Sequence, residues 1–251
     1  MFRLIVCLLL TAICFSQQAN APLENNGHPI KVPFTCTEED ENEAGLTCTE
    51  DQPCSVYLEL NGAETVLSRM LITGDLHTSD ATLYSILLSS EDGGKTWTEP
   101  FARTRFTSLD QIQFIDFQNG WISGANLQGV PRDPFFLVTD DGGKSWRMRP
   151  IFDETRTGVV ERFRFESKSD GELLITTKLR HELYETKTGG DSWTLKQFSP
   201  APLRLQKERN AADSSIRVRA DAKLHAYQVE KRQGDTWVPL SSFAVDAGKC
   251  K

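Results

Sequence analysis

Ser90-Glu91-Asp92-Gly93-Gly94-Lys95-Thr96-Trp97 recurs as Thr139-Asp140-Asp141-Gly142-Gly143-Lys144-Ser145-Trp146, and again as Thr186-Lys187-Thr188-Gly189-Gly190-Asp191-Ser192-Trp193. A weaker fourth copy ends Gly234-Asp235-Thr236-Trp237, with Arg232 where the acid belongs. The four tryptophans stand 49, 47 and 44 positions apart. A period of roughly 40–50 residues is that of propeller blades. Apolar, strand-like runs lead into the first three octets (85–89, 135–138 and 182–185), and further strand-like residues leave them, so each octet reads as the tip of a β-hairpin. Its glycines accept the positive φ that such a turn needs. Its hydroxyl and carboxylate side chains accept from backbone N–H groups and stiffen the turn. Its tryptophan opens the outgoing strand and packs between neighbouring sheets, with an indole N–H that needs a partner.

Outward from the octets, further strands complete the units. Residues 112–117 alternate apolar and polar, Asn119-Gly120 turns, and 121–124 runs back. Residues 56–60 and 70–73 take these places in the first unit, 162–166 and 173–177 in the third, and 216–218 and 224–229 in a shortened fourth. Four strands per unit with hairpin connections give an all-β, propeller-like fold of about four blades, small or incomplete. Helical periodicity is scarce. With 39% hydrophobic and 25% charged residues, the 251-residue chain is neither disordered nor collagen-like nor a polytopic membrane protein. Its net charge of −7 lacks the overall footprint of a nucleic-acid binder.

The chain opens Met1-Phe2-Arg3 followed by an apolar run to Phe15, the pattern of a secretory signal peptide, with cleavage after Ala21 or after Ser16. The run is short for a spanning helix, which takes about 20 residues. The expected organisation is a signal peptide over 1–21, an acidic cysteine-containing segment over 22–54 and the propeller-like domain over 55–251. The exported chain would lie in the periplasm or outside the cell. It would keep Cys36, Cys48, Cys54 and Cys250, an even number that points to disulfides. Four cysteines allow three pairings; Cys54–Cys250 with Cys36–Cys48 is favoured. A four-thiolate zinc site would want paired C-x-x-C spacing, which is missing. Charge is segregated: seven acids and no cation lie between Cys36 and Cys54, whereas Arg204 to Arg232 holds eight cations and four anions. The acidic segment is therefore expected to pack near the basic last unit, around Arg217 and Arg219, and to help close the ring.

The pattern S/T-x-D-x-G-x-S/T-W resembles the Asp-box, or bacterial neuraminidase repeat. The octets ending at Trp97 and Trp146 match at each defining position, and the third has Thr188 in place of the acid. With Phe114-Ile115-Asp116 and Gly120-Trp121-Ile122-Ser123-Gly124 ahead of the second octet, residues 55–240 resemble blades of the photosystem II stability/assembly factor family. The resemblance implies an exported or lumenal propeller that binds protein partners and does no chemistry. That family has about seven blades against four units here, so its partner-binding surface is not carried over. What carries over is structural: Ser90, Asp92, Gly94, Thr96 and Trp97; Thr139, Asp141, Gly143, Ser145 and Trp146; Thr186, Gly190, Ser192 and Trp193.

Signals for chemistry are sparse. Gly93-Gly94-Lys95-Thr96 and Gly142-Gly143-Lys144-Ser145 mimic the end of a phosphate-binding loop. Its opening glycine is replaced by Ser89 and Val138, and a strand rather than a helix follows. A sialidase needs an arginine cluster, a Tyr–Glu nucleophile pair and an Asp acid/base. The Phe-Arg-Ile-Pro segment of that family is absent, Leu203-Arg204-Leu205 is no substitute, and the tyrosines number four. A more general glycosidase needs two facing carboxylates about 5–10 Å apart; Asp75 and His77 are the best local acid/base candidates. His28, His77, His181 and His225 show no metal-ligand spacing. The expectation is an exported, non-catalytic binding or assembly factor without cofactor or metal, whose partner is a cell-envelope protein or a glycan. The alternatives are a sialidase-like glycoside hydrolase and a carbohydrate-binding module without turnover.

Overall fold

The apolar runs around each octet are strands, and the polar turns between them are hairpin tips, in a computed structural model that describes residues 21–206, 214–247 and 249–251. The expected signal peptide lies outside the described residues but for Ala21. Two short strands, β1 (Leu23–Glu24) and β2 (Ile30–Phe34), and the helix α1 (Glu38–Ala44) come first. Blade one is β3 (Tyr57–Val66), β4 (Arg69–His77), β5 (Thr82–Ser90) and the two-residue β6 (Thr96–Trp97), tied to β5 through Ser89 and Thr98. Blade two is β7 (Thr107–Phe114), β8 (Gly120–Asn126), β9 (Arg132–Thr139) and β10 (Arg147–Pro150). Blade three is β11 (Val159–Phe165), β12 (Gly171–Thr176), β13 (His181–Thr186) and β14 (Thr194–Ser199). Blade four is β15 (Ile216–Asp221), β16 (Ala226–Gln233) and β17 (Thr236–Ala247), completed at its edge by β2. The protein is thus an all-β, propeller-like molecule. Residues 22–54, set apart in the sequence by their acidity, supply β1 to blade one and β2 to blade four.

The sheets stack in the order four, one, two, three. Ile216, Val229 and Phe243 of blade four share a core with Leu58, Ile72, Leu88 and Trp97 of blade one and with Val32 of β2. Val66, Leu71 and Leu87 of blade one meet Ile112, Ile122 and Leu137 of blade two. Trp121 and Phe136 of blade two meet Phe163 and Phe165 of blade three, with the Trp121 and Phe165 rings stacked at 3.9 Å. No comparable packing joins blade three to blade four among the described residues, so the four blades form an arc. At one end Leu203 and Leu205 cover Leu174 and Leu183 of blade three. At the other, Arg217 pairs with Glu230 at 2.7 Å and lies over the Trp237 ring at 4.3 Å. A repeat array needs such caps where stacking stops.

The first two octets carry the same network. Ser90 Oγ and Thr139 Oγ1 each accept the glycine N–H four residues on (Gly94, Gly143), at 2.9 Å in both. Asp92 accepts from the N–H groups of Lys95 and Thr96 and from the Thr96 hydroxyl; Asp141 accepts from Lys144, Ser145 and the Ser145 hydroxyl. The Thr96 N–H and hydroxyl hold the Asp92 carboxyl well below the usual range. Burial opposes the bonds at Asp141, yet they bring it to about 2. Trp97 and Trp146 donate their indole N–H to Gly94 and Gly143 carbonyls at 3.2 Å. Gly143 has φ +79, and a Cβ there would stand 2.9 Å from Leu71 of blade one, so the turn needs glycine for both conformation and space. Each octet tryptophan packs on the blade before its own in the arc: Trp97 on Phe243, Trp146 on the Val66–Leu71 cluster, Trp193 on Phe136.

Three expectations are corrected. The fourth copy is not equivalent to the others. Gly234-Asp235 is a turn between the second and third strands of its blade, whereas the octets join third to fourth strands, and Trp237 lies on the end face rather than in a seam. The disulfides are Cys36–Cys250 and Cys48–Cys54, not Cys54–Cys250 with Cys36–Cys48. Cys54 and Cys250 are backbone neighbours, exchanging N–H···O bonds of 3.0 and 3.1 Å, but their side chains turn to other partners. The segment 22–54 does reach the last unit, through β2 paired with β17, but its acidic part does not meet Arg217 and Arg219, which both pair with Glu230. That part is α1, capped by Thr37 and Asp40, and it docks on Arg105 through Glu39, Asp40 and Glu43. The nearer cation wins because a buried acid needs its donors at contact distance: Asp40 accepts from Thr37 and from the Tyr84 hydroxyl at 2.7 Å.

Candidate functional site

The innermost strands of blades one, two and three each carry a β-bulge at the same stage of the repeat. The register slips at Asn61 in β3, across Asp110-Gln111 in β7, and at Glu161 in β11. A bulge re-aims a side chain without ending the strand. Here Asn61, Asp110 and Glu161 line one groove of about 530 Å³ with Glu59, Asp75, His77 and Ser108. Four carboxylates and, among the described residues, no Lys or Arg line it.

Pairing between β3 and β4 sets the wall. Glu59 stands opposite Asp75 and Tyr57 opposite His77, and the period of two puts all four side chains on one face. The Asn61 amide donates to Asp75 Oδ2 at 3.2 Å, to the Leu109 carbonyl at 3.2 Å and to Asp110 Oδ1 at 3.4 Å, joining blade one to blade two across the groove. Ser108 Oγ donates to the other oxygen of Asp110 at 3.1 Å. Burial pushes Asp75 up to about 6, against the pull of His77 and Asn61. Burial also pushes Asp110 up to about 6, with Asp75 and Glu59 adding to it.

A second groove of about 490 Å³ adjoins the first along the seam between blades four and one, sharing Glu59 and His77. Tyr57, Tyr227, His225, Phe243 and Asp221 line it. Tyr57 is 50% exposed, with its ring 5.7 Å from that of His77. Burial, with the nearby charges of Glu59 and Asp75, raises the Tyr227 phenol.

The sequence candidates Asp75 and His77 therefore meet, and their surroundings bear on what they do. An acid/base pair works when the two pKa values are driven apart; Asp75 and Asp110 are driven the same way. Blade three does hold a Tyr–Glu pair beside arginines: the Tyr184 hydroxyl donates to Glu182 at 2.6 Å, and Arg156 and Arg180 bind the same carboxylate. Tyr184 is 2% exposed, and burial together with Glu182 raises its phenol, the reverse of what a nucleophile needs. The octet residues lie at the hairpins between third and fourth strands, away from the innermost strands that line the groove. Glu59, Asn61, Asp110 and Glu161 escaped the sequence reading. Their signal was present: a polar residue breaks the inner strand once per unit, at 61, 110 and 161, spaced like the tryptophans.

No protein-family model matches the chain, and no curated protein is similar to it. Among solved structures, one described as YCF48 bound to D1 peptide is similar, with 17% identity and a TM-score of 0.39 over 76% of this chain and 58% of that one. The chain thus spans less than two thirds of that protein's length. No helix among the described residues is long and apolar enough to cross a membrane.

Proposed function

We propose that the protein is an exported, non-catalytic binding module that holds a cationic segment of a partner protein in the cell envelope. The observation that carries this reading is the pair of adjoining grooves: four carboxylates and, among the described residues, no Lys or Arg on one side, two tyrosines on the other. Carboxylates attract an ammonium or guanidinium group, and aromatic faces accept it by cation–π contact while covering the alkyl stem. Two disulfides within the chain are of the kind that persists in an oxidising compartment.

The reading predicts that a fluorescent peptide rich in Lys and Arg binds the purified protein and that its affinity falls with added salt. Asp110→Asn with Glu161→Gln weakens it at least tenfold, and Tyr227→Ala weakens it too. Equal affinity for a Glu-rich peptide of the same length, or indifference to the double replacement, sinks the proposal. Turnover of aryl glycosides that disappears in Asp75→Asn would replace it with the hydrolase alternative.

A further inference from the structure

Where the two grooves meet, Glu59, Asp75 and His77 form a set with its own chemistry. One oxygen of each carboxylate and one ring nitrogen all lie within 4.8 Å of one another. Two further observations point to a ligand. The first is the imidazole. Its Nδ1 lies 2.8 Å from the Thr78 carbonyl, an acceptor, so Nδ1 carries the proton. Nε2 is the nitrogen turned toward the carboxylates, 3.8 Å from Glu59 Oε2. An imidazole fixed in this way by a backbone carbonyl, its other nitrogen turned toward carboxylates, has the arrangement of a metal-ligating histidine. The second is the strand pairing. Glu59 and Asp75 are like charges directly opposite each other on one face of a two-strand ladder, which costs stability unless something neutralises them. Asp75 is 6% exposed, and its one hydrogen-bond donor among the described residues, Asn61, is on Oδ2; Oδ1 is not held.

We propose that Glu59, Asp75 and His77 bind a divalent transition-metal ion of the Zn²⁺ or Mn²⁺ type. One imidazole and two carboxylates suit such an ion, whereas Ca²⁺ and Mg²⁺ take oxygen donors throughout. The open groove supplies the entry path and room for water on the remaining coordination positions. The site goes beyond the binding function proposed above and stands without it. Because the ion and a cationic side chain use the same carboxylates, each would weaken the other's binding by the same factor.

The test is direct titration of the exported, disulfide-bonded chain with Zn²⁺ and Mn²⁺ by calorimetry, and with Co²⁺ by visible absorption, in the absence of any peptide. One ion per chain is expected, with affinity falling at least tenfold in His77→Ala and in Glu59→Gln, both of them surface-accessible positions whose folding is checked by circular dichroism. Asp140→Asn, an exposed position paired with Arg147 away from the groove, leaves the affinity within about threefold. Binding that survives both replacements, or no binding up to millimolar metal, overturns the proposal. Failure here with intact, salt-sensitive peptide binding removes the metal site alone. Metal binding without peptide binding removes the partner reading alone.

Discussion

At the scale of the residue, the octets show what a single carboxylate does and what its loss costs. In the third octet Thr188 Oγ1 stands in for the acid, accepting from the Ser192 N–H at 2.9 Å and meeting the Ser192 hydroxyl at 3.0 Å. A hydroxyl has one oxygen where the carboxylate has two, so the branched network is not rebuilt. Among the described residues the Trp193 indole N–H has no partner, unlike those of Trp97 and Trp146. Asp110 shows the opposite economy, a carboxylate kept where it is uncomfortable. Its pKa is raised in the folded chain, so the folded state holds its proton more tightly than the unfolded one. Its contribution to stability is complete below about pH 4 and is lost as pH rises toward 6. Asp110→Asn should therefore raise stability at pH 7.5 by about 1–2 kcal/mol and change little at pH 4. Urea unfolding at the two pH values measures this; an equal effect at both would show that Asp110 is not held in a disfavoured charge state. A stabilising replacement at a groove residue is the mark of a site kept for binding rather than for folding.

At the scale of the element, the seams are held by more than apolar contact. Among the described residues the inner strand β11 has no strand neighbour on its axial side, and the side chains of β7 take that place. Gln113 donates to the Phe165 carbonyl and accepts from the Phe165 N–H, both at 2.8 Å; Gln111 does the same for Phe163 at 2.8 and 3.1 Å. Each glutamine amide acts as one residue of a missing strand. Gln113→Leu keeps the volume but orphans a buried N–H and a buried C=O, and should cost about 2–4 kcal/mol in urea unfolding. Gln111→Leu, nearer the open groove where water can substitute, should cost less. A loss below about 1 kcal/mol at Gln113 would mean that apolar packing alone holds the seam. Much of this level was legible in advance. The octets and the Asn-Gly and Asp-Gly turns marked the hairpins of blades two and three because turn chemistry is local. The helix α1 was passed over although Thr37-x-x-Asp40 is a capping signature, because seven mostly acidic residues show no apolar period. Blade four was misread because its edge strand comes from the other end of the chain, and no local pattern in 214–247 announces a partner at 30–34. The bulged residues of the groove were visible as polar interruptions, but nothing local says that three such interruptions converge.

At the scale of the whole molecule, an arc needs its two chain ends held together, since blade four is completed by β2. The pairing of β2 with β17 is parallel, running from Phe243↔Ile30 toward the C-terminal end of β17, and Pro33 is tolerated because β2 is an edge strand. The first disulfide closes this arrangement two residues past β2, joining Cys36 to Cys250 across 214 positions, whereas Cys48–Cys54 spans six. A crosslink stabilises chiefly by limiting the unfolded chain, more so for the longer loop. Replacing Cys36 and Cys250 by serine should therefore cost about 4–5 kcal/mol, and replacing Cys48 and Cys54 about 2 kcal/mol, in equilibrium unfolding. The loss should also be localised. In the Cys36/Cys250 variant, native-state hydrogen exchange should show the β17 amides facing β2 opening first, while the Gln113-clamped backbone of β11 keeps its protection. Because Phe243 of β17 packs edge-on to Trp97 at 5.1 Å and also lines the aromatic groove, the same variant should bind the cationic peptide more weakly without any change in the acidic groove itself. Uniform loss of protection across all four blades would instead mean that the array unfolds as one unit and that the disulfide guards the whole arc rather than the seam it sits beside.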